Sequence, residues 1–393
     1  MNFKECFPLQ DKELKINPFS PEALAHLPYD KELELKNAAV AKLLASGNIK
    51  TAPAPVFASP FPRKYRTTTK RRVFFDRKQI FLHFGKKAAK EHVEFSVLEP
   101  DEHLKIYQYL QKTFSVPRNF KASSVMNYII IRGSYQEHCV IFNVRQLSGD
   151  IIRIMKNVSA ELTKNIPSVK SIFLYVDETN SDYYLEAERP AKGIAFKKMY
   201  GSDFLALKLG DKKYLYSPTS FSQINESILP IFLNEFKKNL TPAENDVLID
   251  LYCGYGLWSL STENMFKSVW GMDFAADSIK SARNNAKFHC PEKNFRYETG
   301  FITGELLRSK MPPPRGKKEW ILLDPPRKGC EAQVRELVIS RRPQKIFELF
   351  CGADEIVPAL QVYLNNNCKI EALLPFDFFP GTLNIEMLAI ISN

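Results

Sequence analysis

The sequence predicts an α/β protein in which a doubly wound, mostly parallel sheet follows an N-terminal α+β domain. From residue 246 onward, apolar strand-like segments alternate strictly with amphipathic helical segments, as expected for a sheet buried on both faces. Between residues 60 and 215, short strands and helices alternate in a way that indicates an α+β domain. We therefore expect an N-terminal arm and helix over 1–50, the α+β domain over 51–220 and a Rossmann-like domain over 221–393.

The first half of the chain begins with an amphipathic helix in "PYDKELELKNAAVAKLLASG", which should end at Gly47. A proline-rich connector, "TAPAPVFASPFP", leads to a basic β-type hairpin, "RKYRTTTKRRVFFDRKQIFLHFGKKAAK". The remaining predicted elements are a helix at 100–114, strands at 124–133 and 138–145, a helix at 149–164, and strands at 169–176 and 182–189.

The second half should contain seven strands, with helices that include 275–289, 330–340 and 353–366. The last two strands have no helix between them, which indicates an antiparallel hairpin that closes the sheet. The strands are "DVLIDLYC", "SVWGMDF", "NFRYE", "WILLDPP", "KIFELFC", "KIEALLPFDFF" and "NIEMLAII".

The charge balance points to a polyanionic partner. The 393 residues carry a formal charge of +11, and the pI is near 9.1, which favours nucleic acid over a membrane surface. No segment approaches the ~18 apolar residues of a membrane span, and the N-terminus lacks an apolar signal core. The seven cysteines form no CxxC pair, so we expect no metal and no iron–sulfur cluster. We expect a cytoplasmic monomer.

A Gly-x-Gly turn follows the first strand of the second half. Gly254 and Gly256 would let a ligand approach the backbone closely, and Asp273 ends the next strand, where it could bind both hydroxyls of a ribose. Position 259 is serine, not the third glycine of a dinucleotide fingerprint. The pattern favours S-adenosylmethionine over NAD, with a tight turn for another ligand as the alternative. Cys253 is expected to be a packing residue.

Two later strand ends carry candidate chemistry. Asp324 precedes a Pro-Pro pair that stiffens the chain at the sheet edge, and its carboxylate could accept a hydrogen bond from a base or a ligand. Cys351 ends the neighbouring strand. We expect a helix that begins near Ala353 to lower the pKa of this thiol, with Arg327 assisting and the acids at 354 and 355 opposing.

Glu386 lies in an otherwise apolar strand. It is either buried for a purpose or located on an edge strand. A buried carboxyl group has a raised pKa and can serve as a base.

Together these segments resemble the S-adenosylmethionine-dependent RNA (uracil-5-)methyltransferases, and the tRNA branch most closely. In the C-terminal half the resemblance rests on "FSQIN", "LYCGYG", "LLDPPRKG", Cys351 and "FPGTLNIE". In the N-terminal half it is looser and rests on "HLPYDKELELKNAAVAKLL" and "PVFASPFPRKYRTTTKRRVFF". We expect neither the iron–sulfur cysteines nor the extra N-terminal β-barrel of the ribosomal-RNA branch in this protein.

The resemblance implies a Rossmann-like methyltransferase domain and transfer of a methyl group to C5 of a uridine, with tRNA as the expected RNA. A Cys351 thiolate would add to C6, and Glu386 would remove the C5 proton. Contacts with the cofactor or the base are implied for Gln223, Tyr252, Gly254, Gly256, Asp273 and Asp324.

The chain departs from the family pattern at three places. The family usually has Ser-Cys-Asn at the nucleophile, where this chain has Phe350, Cys351 and Gly352, and Asn384 stands where histidine is usual. Leu257 replaces a polar residue after the Gly-x-Gly turn. These changes lie in the shell of the expected active site.

A basic and aromatic cluster marks the expected RNA-binding surface, since cations neutralise phosphates and aromatic rings stack on unpaired bases. At least one of the adjacent Phe74 and Phe75 should face the core, because neighbours on a strand point to opposite sides. The expected RNA contacts are Arg63, Tyr65, Arg66, Arg71, Arg72 and Arg327, with Lys64, Lys70, Arg77 and Lys78 in the same basic run.

Two alternatives remain open. One is a non-catalytic RNA-binding or tRNA-folding protein on the same scaffold, which the departures favour. The other is a methyltransferase for a different base, with Asp-Pro-Pro-Arg as its clamp. Cys351 together with Glu386 favours C5 methylation over the latter, since amino methylation needs no thiol.

Overall fold

The computed structural model describes residues 2–76, 79–84, 95–178, 196–314, 316 and 318–393. The chain packs into two compact units, Met1–Arg63 with Ser227–Asn393 and Lys64–Glu226. This grouping differs from the expected division at residues 50 and 220, because the N-terminal segment shares a hydrophobic core with the C-terminal half. Phe3 and Leu43, for example, belong to the same core as Ile249 and Met387.

The N-terminal part of the first unit holds a short 3₁₀ helix, Phe3–Cys6, and the helix α1, Tyr29–Ser46. The predicted helix and its end at Gly47 are confirmed. Buried residues recur at helical spacing on one face of α1, among them Leu35, Ala39 and Leu43. The same face buries two charged residues, Glu32 and Lys36.

The second unit contains a six-stranded sheet of order β2-β1-β3-β4-β5-β6 and a separate hairpin, β7-β8. The predicted α+β mixture is thereby confirmed, while the strand expected at 182–189 lies outside the described residues. The elements are β1 (Thr69–Asp76), β2 (Gln79–His83), α2 (Asp101–Phe114), α3 (Phe120–Ser123), β3 (Met126–Gly133), β4 (His138–Val144), α4 (Gly149–Asn165), β5 (Val169–Val176), β6 (Phe196–Gly201), β7 (Leu205–Leu209) and β8 (Lys212–Tyr216).

The C-terminal part of the first unit contains the seven predicted strands and the helices between them. No helix of the described residues is both long and apolar enough to cross a membrane. The elements are α5 (Leu229–Lys238), β9 (Val247–Leu251), α6 (Leu257–Ser261), β10 (Ser268–Asp273), α7 (Ala276–His289), β11 (Asn294–Thr299), α8 (Gly304–Lys310), β12 (Glu319–Leu323), α9 (Ala332–Ser340), β13 (Lys345–Phe350), α10 (Ile356–Asn365), β14 (Lys369–Phe376) and β15 (Glu386–Ser392).

These strands form one sheet of order β11-β10-β9-β12-β13-β15-β14. Strands β9 to β13 pair in parallel, whereas β15 pairs antiparallel with both β13 and β14. The doubly wound fold and its closing antiparallel hairpin are as predicted. The carboxyl ends of the parallel strands meet at one edge of the sheet, which is where ligands bind in folds of this class.

The connector after α1 runs along the outer strand β14. The Ala54 N–H donates to Leu373 O at 2.9 Å, and the Phe57 N–H donates to Pro375 O at 2.8 Å. The Phe57 ring stacks on Phe376 with 4.7 Å between centroids. An edge strand that would otherwise expose backbone donors and acceptors is thereby covered.

A buried ion pair joins α1 to the loop after β14, which we call the return loop (residues 377–385). Lys36 Nζ lies 2.6 Å from Asp377 Oδ1 and 3.0 Å from Phe379 O, and both charged side chains are fully buried. Tyr29 donates a hydrogen bond to Asp377 Oδ2 at 3.1 Å. Charges so deeply buried need partners of this kind, because desolvation costs several kcal/mol per ion.

We expect Lys36→Met to lower the free energy of unfolding by about 3–5 kcal/mol, because it leaves Asp377 buried without its cation. Urea unfolding followed by tryptophan fluorescence measures this loss. Lys31→Met is the matched control, since Lys31 lies on the same helix but pairs with Glu34 at the surface. Equal midpoints for the two variants would contradict a stabilising role for the buried pair.

Candidate active site

The Gly-x-Gly turn (residues 252–257) connects β9 to α6 through three residues with positive φ. These are Tyr252 at 64°, Gly254 at 54° and Gly256 at 82°. A Cβ atom at Gly256 would lie 3.0 Å from Leu260 and 3.2 Å from Tyr297, so packing and conformation both require glycine there. A Cβ atom at Gly254 would meet nothing within 4 Å, so the turn is open on that side.

Asp273 ends β10 and closes the turn. Its Oδ2 accepts a hydrogen bond from the Gly254 N–H at 3.0 Å, and its Oδ1 accepts one from the Ala275 N–H at 2.8 Å. A carboxylate can accept about four hydrogen bonds, so acceptor capacity remains for a ligand. Burial raises the pKa of Asp273, an effect that both backbone donors oppose. The open glycine and the acid beside it fit a ribose-bearing cofactor.

Two aromatic rings extend the same edge of the sheet. Phe274 follows Asp273, and Phe301 lies just beyond the end of β11. Their rings stack with 6.0 Å between centroids at 19°, although they are 41% and 70% exposed. Exposed stacked rings beside a carboxylate offer a flat surface on which a purine could lie.

Two residues of this region were not expected from the sequence. Asp250 lies in β9, fully buried, and burial raises its pKa to about 7, an effect that hydrogen bonds from Ser259 oppose. Trp258 donates from Nε1 to Asp324 Oδ2 at 2.8 Å. An acid inside an apolar strand, the signal that identified Glu386, could also have identified Asp250. Nothing local to the sequence indicated the role of Trp258.

The register of β13 and β15 brings Cys351 and Glu386 together. Phe350 pairs with Met387 as the last pair of the antiparallel ladder, and Cys351 and Glu386 are the residues next to this pair, close enough for the Glu386 carboxyl to influence the Cys351 thiol. Cross-strand neighbours have Cα atoms about 4.5–5.5 Å apart, with side chains on the same face. Glu386 also pairs with Phe376 of β14, so it lies on an inner strand and is buried, not on an edge.

Asp324 links this pair to the Gly-x-Gly turn. The Cys351 thiol donates to Asp324 Oδ1 at 3.3 Å, while Trp258 of α6 occupies the other oxygen. Burial raises the pKa of Asp324 to about 6, and the hydrogen bonds from Trp258 and Cys351 oppose that rise. Burial and the nearby Asp324 raise the pKa of Glu386 to about 8. The expected raised pKa of a buried Glu386 is confirmed.

The expected lowering of the Cys351 pKa is wrong. Burial raises the pKa of this thiol well above its ordinary value, the carboxyls of Glu386 and Asp324 raise it further, and Arg327 opposes them. The element after Cys351 is a single 3₁₀ turn, Ala353–Glu355, before α10 begins at Ile356. Its dipole is too short to offset burial beside two acids.

The glycine at position 352 is required for a steric reason. A Cβ atom there would lie 2.2 Å from the Arg327 carbonyl oxygen and 3.1 Å from its carbon, so only glycine admits this close approach of the Asp-Pro-Pro-Arg segment. The Arg327 guanidinium lies 5.6 Å from the centre of the Phe379 ring, which belongs to the return loop. The backbone of Arg327 therefore occupies the space that a polar side chain at 352 would need.

The other two departures lie nearby. Asn384 folds back onto Thr382, whose Oγ1 accepts hydrogen bonds from the Asn384 backbone at 3.1 Å and from its Nδ2 at 3.2 Å. Leu257 is buried, as is Cys253, and burial raises the Cys253 pKa well above its ordinary value. The expectation that Cys253 is a packing residue is confirmed.

The predicted RNA contacts are distributed over both units. Arg63 belongs to the first unit and is held by the carbonyls of Ala25 and Leu27 and by Glu32. In the second unit Arg66 and Arg72 are half-buried, and the Arg72 guanidinium lies within 6 Å of the Phe74 and Tyr128 ring centres. Arg77 and Lys78 lie outside the described residues.

Two of these predictions are wrong. Arg71 is fully buried, and its guanidinium contacts both carboxylate oxygens of Glu99. It faces inward with Thr69 and Val73, because alternate residues of β1 share a face. Tyr65 is also fully buried, so its ring cannot stack on a base in this conformation.

The remaining expected cofactor contact, Gln223, is a buried residue of the second unit, next to Ile224, whose carbonyl accepts a hydrogen bond from the Thr67 N–H at 2.9 Å. Across the described ranges, no group of three or more His, Cys, Asp or Glu side chains is arranged to hold a metal ion.

We expect Glu386 to make the protein less stable as pH rises. Its folded pKa of about 8 exceeds its ordinary value of 4.5, so its stabilising effect is complete below about pH 4.5 and declines as pH rises to about 8. The decline should approach about 1.4 kcal/mol per pH unit. Glu386→Gln should flatten this slope in urea titrations between pH 5 and pH 8.5.

Glu305→Gln is the control for this measurement, because Glu305 is an exposed acid of the same unit and should leave the slope unchanged. A Glu386→Gln variant with the wild-type slope would show that this carboxyl is not held neutral in the folded protein.

Comparisons with known proteins identify relatives of this chain. An uncharacterized RNA methyltransferase of Oceanobacillus iheyensis is 25% identical over 381 residues, covering 93% of this chain and 80% of that protein. One of Bacillus cereus is 30% identical over 227 residues, 58% of this chain and 47% of that protein, so the match spans about half its length.

Among solved structures, the Pyrococcus abyssi tRNA (uracil-54, C5)-methyltransferase in complex with S-adenosyl-L-homocysteine superimposes with a TM-score of 0.69. The sequence identity is 21%, over 94% of this chain and 85% of that one, and the likeness shows a shared Rossmann-like methyltransferase fold.

Residues 28–293 match the family described as tRNA (Uracil-5-)-methyltransferase, and the matched segment ends before Asp324. The chain therefore belongs to the tRNA (uracil-5-)-methyltransferase family and is an RNA methyltransferase.

Proposed function

We propose that this enzyme transfers a methyl group from S-adenosylmethionine to C5 of a uridine in tRNA, through a covalent bond between Cys351 and C6 of the base. The observation that carries the proposal is the juxtaposition of a thiol and a buried carboxyl across β13 and β15, with Asp324 bonded to the thiol. Uracil C5 is a poor nucleophile, and thiol addition at C6 is a direct way to activate it.

Asp324 is the group that takes the thiol proton. It already accepts a hydrogen bond from Cys351 Sγ, and its pKa of about 6 leaves it mostly ionised at neutral pH. As the proton moves to Asp324 Oδ1, the S–C6 bond forms and the electrons of the C5–C6 double bond shift onto O4. Cys351 is thus a neutral thiol until the substrate arrives, which protects it from side reactions.

S-adenosylmethionine would supply the electrophilic methyl group that C5 then takes. Glu386 next removes the C5 proton, the C5–C6 double bond re-forms, and the S–C6 bond breaks. The departing thiolate recovers its proton from Asp324. Glu386 acts only when it is ionised, so we expect this step to accelerate as pH rises toward about 8.

The Gly-x-Gly turn and Asp273 would hold the cofactor. Asp273 would accept hydrogen bonds from the ribose hydroxyls, and the open side of Gly254 leaves room for the ligand beside the backbone. Tyr252 and Gly256 complete the turn. Gln223 is proposed as a further contact on the basis of the family resemblance.

The half-buried or exposed cations of the second unit would neutralise RNA phosphates, and Arg327 would face the target base. The cation–π contact between Arg327 and Phe379 holds its guanidinium over the return loop, which leads into Glu386. A target uridine must leave its stack to reach Cys351, at a cost of a few kcal/mol that is smallest in a loop. The proposed RNA contacts of the second unit are Lys64, Arg66, Lys70 and Arg72.

Glu386→Gln should trap a covalent protein–RNA adduct, because the S–C6 bond cannot break until the C5 proton leaves. Cys351→Ala should abolish both the adduct and methyl transfer. The assay incubates each variant with methyl-labelled S-adenosylmethionine and tRNA transcribed without modifications. Denaturing gel electrophoresis then detects the adduct, and digestion of the RNA to nucleosides identifies the methylated base.

Cys368→Ala is the matched control, since Cys368 is a buried thiol of the same unit and should retain activity. Methyl transfer by Cys351→Ala would refute the covalent mechanism. An absence of both adduct and transfer with every RNA tried would instead favour a non-catalytic RNA-binding role.

Asp273→Ala should weaken binding of S-adenosylmethionine by roughly 10- to 100-fold, because the variant loses charge-assisted hydrogen bonds to the ribose worth about 1.5–3 kcal/mol. Isothermal titration calorimetry with S-adenosylmethionine measures the change. Glu305→Ala, at an exposed acid of the same unit, should bind like the wild type. An unchanged dissociation constant for Asp273→Ala would show that Asp273 does not bind the ribose of S-adenosylmethionine.

A further inference from the structure

We propose that the N-terminal segment (residues 2–46) positions the thiol and the base of the proposed active site. It does so through two sets of hydrogen bonds, here called grips, to the two chain segments that carry these groups. These are the Cys351 turn (residues 351–355) and the return loop before Glu386. The inference rests on the proposed function, since it assigns roles in the proposed reaction. The residues involved lie far from the Gly-x-Gly turn in the sequence, and all of them belong to the first unit.

The first grip is at the very start of the chain. The Phe3 N–H donates to Asp354 Oδ1 at 2.7 Å, and Asn2 Nδ2 donates to Asp354 Oδ2 at 3.2 Å. Both carboxylate oxygens of Asp354 are thus occupied, three residues after Cys351. The Phe3 ring is buried and packs edge-on against Phe7 at 5.3 Å, which anchors the donor.

The second grip holds Gly381 in the middle of the return loop. Its N–H donates to Glu32 Oε2 at 2.7 Å, and its carbonyl accepts from the Leu24 N–H at 2.9 Å. Glu32 is itself fully buried and paired with Arg63. Gly381 has φ +78°, a conformation in which other residues are strained, so the loop adopts one defined path between its two partners.

Both grips act within a few residues of the reacting groups. The buried pair of Lys36 and Asp377 fixes the start of the return loop, and Glu32 fixes its centre, so Glu386 enters β15 from a held segment. Asp354 and the steric limit at Gly352 fix the Cys351 turn in the same way. Misplacement of a catalytic group by 1 Å can cost about 100-fold in rate.

The two grips predict effects on different steps. Asp354→Ala should slow formation of the protein–RNA adduct by about 10- to 100-fold, because it loosens the turn that carries the thiol. Glu32→Ala should leave adduct formation near the wild-type rate but slow adduct release by a similar factor. Asp354→Asn retains an oxygen for the Phe3 N–H, and Glu32→Gln retains one for the Gly381 N–H, so each should recover much of the lost rate.

Rapid mixing with unmodified tRNA transcript, followed by denaturing gels, measures adduct formation and release separately. Asp30→Ala is the control, because Asp30 is an exposed acid at the start of α1. Amide hydrogen exchange supplies a readout that is independent of activity. We expect faster exchange over 351–355 in Asp354→Ala and over 377–385 in Glu32→Ala, with strand β10 unchanged in both.

The outcomes are distinguishable. If the wild type forms the adduct but both variants match it at every step, the positioning proposal fails and the proposed function stands. If both variants slow both steps equally and exchange also rises in β10, the grips are merely stabilising and the proposal is overturned. If the wild type forms no adduct, the proposed function fails. In that case, amide hydrogen exchange alone tests whether the grips hold these segments. Exchange rates over 351–355 and 377–385 that are unchanged in the variants would overturn the positioning proposal.

Discussion

The proposed active site depends on one topological constraint, the antiparallel insertion of β15 between β13 and β14. A parallel strand at that position would present its carboxyl end to the site. Because β15 runs the other way, its first residue, Glu386, lies at the end of the ladder where Phe350 pairs with Met387, beside Cys351, the residue that follows β13. Strand direction and register therefore bring together two groups 35 positions apart in the sequence, and a shift of one residue would turn Glu386 to the other face.

Burial then sets the charge states of the groups so assembled. Glu386 is buried, Cys351 and Asp324 are half-buried beside it, and Arg327 is a cation that opposes the rise of the thiol pKa. Two carboxylates and a thiolate could not coexist there without large desolvation and repulsion terms. The raised pKa values of about 6 and about 8 show how the site avoids this cost, with Asp324 ionising first and Glu386 remaining protonated until higher pH.

The sequence predicted the sheet well because apolar alternation and turn residues are local signals, and every strand of the second half was expected. It indicated Cys351 from its position at a strand end and Glu386 as an acid in an otherwise apolar strand, and their roles in the site stay predictions. The prediction of a lowered Cys351 pKa failed, because the burial of this thiol beside Asp324 depends on tertiary packing. The prediction for Arg71 failed because a run of cations was treated as one surface, although strand alternation places this residue inside with Thr69 and Val73.

The departures from the family pattern acquire a physical meaning from the packing around them. At 352 the Arg327 carbonyl takes the space of a polar side chain, and the Asn384 side chain donates a hydrogen bond to Thr382. The shell of this site is thus built largely from backbone and from buried ion pairs, among them Lys36 with Asp377. The N-terminal segment contributes Lys36 and Glu32 to this shell, and these charged residues of α1 can be buried because each pairs with an opposite charge, Asp377 and Arg63.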